Sequence, residues 1–499
     1  MTELRRRLTS LDASFLYLER PNALMHVGGL YVFDAGVEFE DFVDDVERRL
    51  PLIPRYVQRI ITVPFNLGHP TWEDDETFDI SRHIHRHELD AGADAHALAS
   101  LCARLFAEPL DRERPLWELH FIEGFSGGTA VLAKTHHCMI DGASGVQLID
   151  TLLDPTPNPR PVSDVALPVP SPIPSSFARS LEGLVSAVRE QIDTGRSLWK
   201  TLSDPRRIVA DGRQTVEAAT IAARTFLEGA PATPFNGPLG VERTLSWETL
   251  SLNEVKSIRN RLGGTVNDVV LTVIAGAIRN YLRSIRADVD AEELKVAVPV
   301  SMRTVKEKAD LGNRVSMMVA PLPISVANPI ERLRCVAASM DLLKESGQSG
   351  QMQRLLNLTD LIPPAVQAPL ARLQPNQLPV NTVCTNVPGP RVLRYVLGHQ
   401  VRAMVPLVPL GGGIGLAFAI MSYSDQLTIG ITADAGLVPA PWKVAAAIRE
   451  AYEDLWASTG LERVARDRHV ASALERRRKR TKPTPPPVSP DEPIGDEPA

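Results

Sequence analysis

Two neighbouring stretches of the chain, residues 116–125 and 129–137, carry the alternating or continuously apolar pattern of strands. Ser126, Gly127 and Gly128 lie between them, and small turn-forming residues at that point predict a hairpin. Further along, Ser251 and Glu254 have the spacing of a capping box and open a helix that Gly263 and Gly264 close. Residues 267–282, NDVVLTVIAGAIRNYL, are apolar around nearly the whole circumference, a pattern that only a protein core accommodates. Residues 414–423 and 426–432 predict a second hairpin around Ser424 and Asp425, followed by a helix over 442–456. No internal repeat of fixed period is present.

These elements fall into two bodies of similar size, residues 1–155 and 235–465, each mixing strands with helices. Between them, eight prolines from Pro155 to Pro174 forbid helix and starve a sheet of donors, so this stretch reads as a linker. A helical connector follows over 177–227, with Leu181, Leu184, Val185 and Val188 as its apolar stripe; linker and connector together span 156–234. Residues 466–499 read as a disordered tail, basic from Arg476 to Lys482 and acidic behind it.

Composition narrows the function classes. The chain has 499 residues, 44% hydrophobic and 23% charged, an ordinary globular balance that excludes collagen-like and coiled-coil readings. The net charge of −6 lacks the basic surface a dedicated nucleic-acid binder needs to displace counterions. Cys102, Cys138, Cys335 and Cys384 are too dispersed for a disulfide scaffold or a CxxC metal site. The opening MTELRRRLTSLDASF has no apolar stretch fit for a signal peptide, which makes the cytoplasm the expected compartment. Residues 403–423 are long enough to cross a bilayer, but their prolines and glycines predict two strands and a turn instead.

The chemically informative segment is TAVLAKTHHCMIDGASGVQLIDTLL, from Thr129 to Leu153. It predicts a strand ending at His137, a short loop with Asp141 and Gly142, and a helix capped by Ser144 with Gln147 three residues on. Strand alternation places Val131, Ala133, Thr135 and His137 on one face and Lys134 and His136 on the other, so only His137 is expected to look into the apolar side. A neutral imidazole at a strand end is suited to general-base work near pH 7. The ordinary reading of an HH pair is two structural residues. A zinc site needs further ligands, and His83, His85 and His87 sit in SRHIHRHEL, expected to be an exposed charged segment. GGG at 411–413 lacks the spacing of a dinucleotide loop and is expected to be a turn between strands.

HHCMIDG matches the HHxxxDG motif of the acyltransferase superfamily that includes chloramphenicol acetyltransferase and the condensation domains of nonribosomal peptide synthesis. More closely, residues 1 to about 465 resemble the bacterial wax ester synthase/diacylglycerol acyltransferase family. LTSLDASFLYLE with Met25, His26, Val27 and Gly28, PLWELHFIEG at 115–124, TVNDVVL at 265–271, LGNRV at 311–315, TNVPGP at 385–390 and the Ser422–Tyr423 pair stand in family-like order. The Pro-rich linker and charged tail depart from the pattern and leave acceptor choice and localisation open.

The resemblance implies an α/β (α+β) chain of two chloramphenicol-acetyltransferase-like domains, mixed sheets flanked by helices, with a tunnel at their interface and His137 at its midpoint. It implies transfer from long-chain acyl-CoA to diacylglycerol or a long-chain alcohol, with His137 as general base, His136 as a secondary motif residue, Gly142 as the motif turn, and Asp141 as structural support facing an arginine such as Arg303. CoA is carried by the substrate, and no cofactor or metal is required. Asn267, Thr385 and Asn386 are candidate oxyanion donors; Asn267 serves equally as a helix cap and Asn386 as the turn before Pro388. Trp117 and Cys138 read as packing residues. The Arg476–Lys482 run is a solvated charge cluster or a contact to an anionic membrane or lipid-droplet surface. Two other functions fit the motif: acyl transfer from a carrier protein, and a catalytically weak lipid-binding paralogue.

Overall fold

The structure, a computed structural model, describes residues 7–34, 36–125, 128–140, 142–161, 170, 185, 229–289, 293–301, 315–345, 362–372 and 378–463. The helical connector, apart from Val185, the charged tail, and the hairpin residues Ser126 and Gly127 lie outside these.

In the first half, helix α1 (Ser10–Leu18) precedes β1 (His26–Phe33), α2 (Phe39–Arg49), β2 (Gln58–Ile61), β3 (Thr71–Asp74), β4 (Ile84–Ala93), α3 (Ala95–Phe106), β5 (Trp117–Phe125), β6 (Thr129–His136) and α4 (Gly142–Leu152). The second half contributes β7 (Arg243–Ser251), α5 (Leu252–Leu262), α6 (Val266–Ser284), β8 (Leu294–Ser301), β9 (Val315–Leu322), α7 (Pro329–Glu345), α8 (Pro364–Arg372), β10 (Thr382–Pro388), β11 (Tyr395–Val396), β12 (His399–Leu407), β13 (Leu416–Tyr423), β14 (Gln426–Asp434) and α9 (Pro441–Ala457). Local signals account for several boundaries. Ser251 accepts from the Glu254 amide and Gly263 stops α5 at φ 91°. Thr265 and Asp268 cap α6 reciprocally, with the Thr265 amide donating to Asp268 Oδ2 at 2.7 Å.

Two six-stranded mixed sheets result, in the orders β11-β12-β1-β6-β5-β4 and β7-β14-β13-β10-β8-β9. Most neighbours are antiparallel; β4 with β5, and β10 with both β13 and β8, run parallel. Helix α6 is buried from Asp268 to Arg279 and forms the centre of the second core with α9, as its uniformly apolar pattern requires. No single helix among the described residues is long and apolar enough to cross a membrane; α5 and α6 meet that composition only jointly and are bent by 100°.

The sheets do not divide at one chain position. Strands β11 and β12 come from the second half but complete the first sheet, β12 pairing antiparallel with β1 from Gly28↔Leu407 to Val32↔Ala403. Its other side meets the second sheet, and the contact is so close that a Cβ built on Gly430 of β14 would lie 1.9 Å from the Pro406 carbonyl oxygen of β12. Helix α3 lies in the same region, its Leu98, Leu101 and Leu105 sharing a buried cluster with Leu30 and Leu132 of the first sheet and Leu245 of β7.

Gly430→Ala is therefore expected to push β14 away from β12 and to destabilise the protein by about 1–3 kcal/mol, the usual cost of overpacking a filled interior. Urea denaturation followed by tryptophan fluorescence checks this; a midpoint equal to wild type contradicts the backbone contact.

Candidate active site around His137

Strand β6 lies between β1 and β5, and both its faces are covered. Ala130 and Leu132 pack into the α3 cluster, whereas Val131 packs with Phe121, Leu16 of α1 and Phe42 of α2. The expectation that only one histidine looks into an apolar interior is thus corrected: each enters a different interior, because a central strand of a sheet covered on both sides has no solvent face.

His137 lies just past the end of β6. Its N–H donates to the Met25 carbonyl at 2.8 Å, and its half-buried ring stacks on Phe15 of α1 with centroids 4.0 Å apart and planes 7° from parallel. Cys138 and Met139 follow directly and are buried. The helix after the loop starts at Gly142, so Ser144 falls inside α4 and is not its cap, as helical backbone at that position rules out the extended conformation a cap needs. Asp141 and Arg303 lie outside the described residues.

His136 enters the opposite interior. Its Nδ1 accepts the Cys138 N–H at 3.1 Å, and its Nε2 faces Glu19 Oε1 at 3.5 Å. Glu19 sits after α1, also accepts the Met25 N–H at 3.1 Å, and is held through Oε2 by Arg112. Burial raises the Glu19 carboxyl, but His136 and Arg112 more than reverse this and leave it well below the usual carboxylate range. His26 pairs across the ladder with His136, and burial, reinforced by the Lys134 charge, lowers it to about 3. Lys134 is fully buried, 2.7 Å from Glu118, and donates to the Leu105 and Glu108 carbonyls at 3.1 Å. Glu118 is pushed up by burial and, more strongly, down by His120 and Lys134, to about 2.

Among the oxyanion candidates, Asn267 and Asn386 come together: Asn386 Nδ2 donates to Asn267 Oδ1 at 3.4 Å. Neither does what the simpler readings give it. Thr265 caps α6, leaving Asn267 in the first turn, and Asn386 lies within β10 opposite Ile420, not in a turn. Thr385 points to the other face of β10 by alternation, so it is not part of this pair. Helix α4 borders β10, and Tyr423 at the end of β13 shares the buried cluster of Cys138 and Met139.

Other sequence readings are also settled. Trp117 is buried, with its indole N–H donating to the Tyr56 carbonyl at 2.7 Å. SRHIHRHEL is not simply exposed: His83 is buried against Trp117 at 4.5 Å, and His87 Nε2 lies 3.1 Å from His120 Nδ1. Residues 411–413 form the turn between β12 and β13. Sequence reasoning assigned no role to Glu19, Arg112, His26 or Phe15; the short span from Glu19 to His26 in the family-like opening was the available signal, but nothing local ties it to residue 136.

Residues 8–270 match the family model described as the wax ester synthase/diacylglycerol acyltransferase catalytic domain, and residues 311–455 match the WS/DGAT C-terminal domain. A Mycobacterium tuberculosis relative named as a probable diacylglycerol O-acyltransferase, tgs1, is 32% identical over 478 residues, covering 94% of this chain and 99% of its own length. Among solved structures, the wax ester synthase/diacylglycerol acyltransferase of Marinobacter aquaeolei VT8 superposes with a TM-score of 0.64 at 24% identity, over 91% of this chain and all of that one. The first condensation domain of the calcium-dependent antibiotic synthetase superposes at 0.57 and 14% identity, over 91% of this chain and 96% of that one. Matched across both halves by these family models and over nearly its whole length by a 32% identical relative, the chain belongs to the wax ester synthase/diacylglycerol acyltransferase family.

Proposed function

We propose that the protein transfers a long-chain acyl group from acyl-CoA to the free hydroxyl of diacylglycerol, giving triacylglycerol, and accepts fatty alcohols to give wax esters. The observation that carries the reading is the placement of His137 at the end of a buried strand, its backbone held by Met25 and its ring by Phe15, in a chain of this family. In this scheme residues 1–155 and 235–465 act as the two halves of one enzyme joined by 156–234, with acyl-CoA and acceptor reaching His137 from opposite ends of a tunnel between them.

A ring nitrogen of His137 removes the hydroxyl proton as the acceptor oxygen bonds to the thioester carbonyl carbon. The carbonyl electron pair moves onto oxygen, where an amide of the Asn267–Asn386 pair is the donor we assign to the developing charge. Collapse breaks the C–S bond, and the imidazolium returns its proton to the CoA thiolate. Asp141 and Gly142 shape the loop that presents His137, while His136 acts from behind it. The thioester is already activated, so the scheme uses no covalent acyl-enzyme, cofactor or metal, and long-chain acyl-CoA and the lipid acceptor are its only small-molecule partners. Carrier-protein acyl transfer gains no specific support, since the condensation-domain likeness shows the fold alone.

His137→Ala is expected to lower turnover of palmitoyl-CoA with diacylglycerol by about 10²- to 10⁴-fold at an unchanged melting temperature. Full activity in this variant, or a wild-type protein silent towards diacylglycerol, monoacylglycerol and fatty alcohols alike, defeats the proposal.

The cysteines give a second check. Burial lifts the thiols of Cys102 and Cys384 to about 12 and that of Cys138 well above its ordinary value, whereas Cys335 is exposed. Iodoacetamide at neutral pH is expected to modify Cys335 alone and leave the acyl-transfer rate intact. Mass spectrometry locates the adduct, and inactivation tracking alkylation of Cys138 speaks for a thiol intermediate.

For localisation we propose peripheral binding to an anionic membrane or droplet surface through Arg476–Lys482, six basic residues each worth on the order of 1 kcal/mol near such a surface. Truncation after about residue 470 is expected to preserve activity on detergent-dispersed substrate and to weaken vesicle binding at low salt, where screening is least. Co-sedimentation with phosphatidylserine vesicles decides it; equal binding by both forms removes the tail from the argument.

A further inference from the structure

We propose that Glu19 is the positioning residue of the segment His136–Cys138, holding from two sides the backbone that presents His137. The inference rests on the reading of His137 as the base.

One arm runs through Met25. Glu19 Oε1 accepts the Met25 N–H at 3.1 Å, and the Met25 carbonyl accepts the His137 N–H at 2.8 Å. The other arm runs through His136. Its Nδ1 accepts the Cys138 N–H at 3.1 Å, and a ring nitrogen that accepts carries no proton. The neutral ring then has its proton on Nε2, which faces Glu19 Oε1 at 3.5 Å. The carboxylate thus favours the tautomer that the Cys138 amide requires. Its second oxygen is taken by Arg112, whose Nη2 also donates to the Leu16 carbonyl of α1 at 3.2 Å. Because α1 carries Phe15, the same ion pair that anchors Glu19 also fixes the ring on which His137 stacks. Glu19 touches neither His137 nor any group assigned to the reaction, and its effect is exerted through Met25 and His136.

Glu19→Gln keeps the shape but replaces a carboxylate oxygen with an NH2 group, a donor towards His136 Nε2 and a poorer partner for Arg112. In the full-length protein, hydrogen exchange at the His137 and Cys138 amides is expected to accelerate by at least about tenfold, confined to this segment. The kcat with palmitoyl-CoA and diacylglycerol is expected to fall about 10- to 100-fold, the scale of an ångström's misplacement, while KM for palmitoyl-CoA stays within about twofold. Glu19→Asp retains the charge with a shorter reach and is expected to lie between the two, which also supplies a folded variant if the Gln form does not fold. Unchanged exchange at these amides in a folded variant overturns the proposal, as does loss of protection spread over both sheets with kcat and KM changing together. A wild-type protein inactive on every acceptor, whose Glu19 variants still lose protection only here, supports the positioning and sinks the acyl-transfer reading instead.

Discussion

The position of β12 constrains everything else in this molecule. It is hydrogen-bonded to β1 along one edge, and its Pro406 carbonyl lies against Gly430 of the other sheet with no room for a Cβ. Close backbone contact of this kind tolerates little sliding, because an interior packed at crystal-like density has no space into which a displaced strand can move. The end of β6, the start of α4 and the ends of β10 and β13 are thereby held in one neighbourhood. In the proposed reaction, the base from the first half and the amide donors from the second depend on that fixed distance, since positioning within an ångström governs the rate.

Charge is buried beside the site in a way that an apolar core would avoid. Lys134, His26 and His136 all sit in the interior on the α3 side of the first sheet; Glu118 is the counter-charge of Lys134, while Glu19 pairs with Arg112 and faces the neutral His26 and His136 rings. Desolvating such groups costs several kcal/mol each, and pairing with carbonyls and carboxylates offsets the cost without making the arrangement a strong source of stability. What the pairing supplies is geometry: each polar atom has few acceptable positions, and the backbone of 134–138 is specified accordingly. Cys138 shows the opposite treatment. Buried with a raised thiol beside the proposed base, it fills space, in keeping with the proposed scheme, which needs a proton acceptor and no nucleophile.

Much of this was legible in the residues. Alternation and turn chemistry identify β5, β6, β13 and β14; the Ser251 cap and the uniformly apolar run after Thr265 identify α5 and α6; and the strand-to-helix segment HHCMIDG singles out His137. These are local signals, written within a dozen residues. Where the reading failed, two local rules competed. Ser144 with Gln147 imitates a cap but lies inside α4, and Asn267 is a common capping residue beside Thr265, which takes the position through its reciprocal bonds with Asp268.

The amino-acid sequence by itself determined many of the elements and the candidate base, because propensity, capping and side-chain periodicity act over a few residues. Only the tertiary structure decided that β12 crosses into the first sheet, that both faces of β6 are buried, that Asn386 meets Asn267, and that Glu19 stands behind His136. Several of these depend on contacts between residues far apart in the chain, 117 positions for Glu19 and His136 and 379 for Gly28 and Leu407. Such contacts are selected by burial and by the shape left between packed elements, quantities to which no local pattern of residues corresponds.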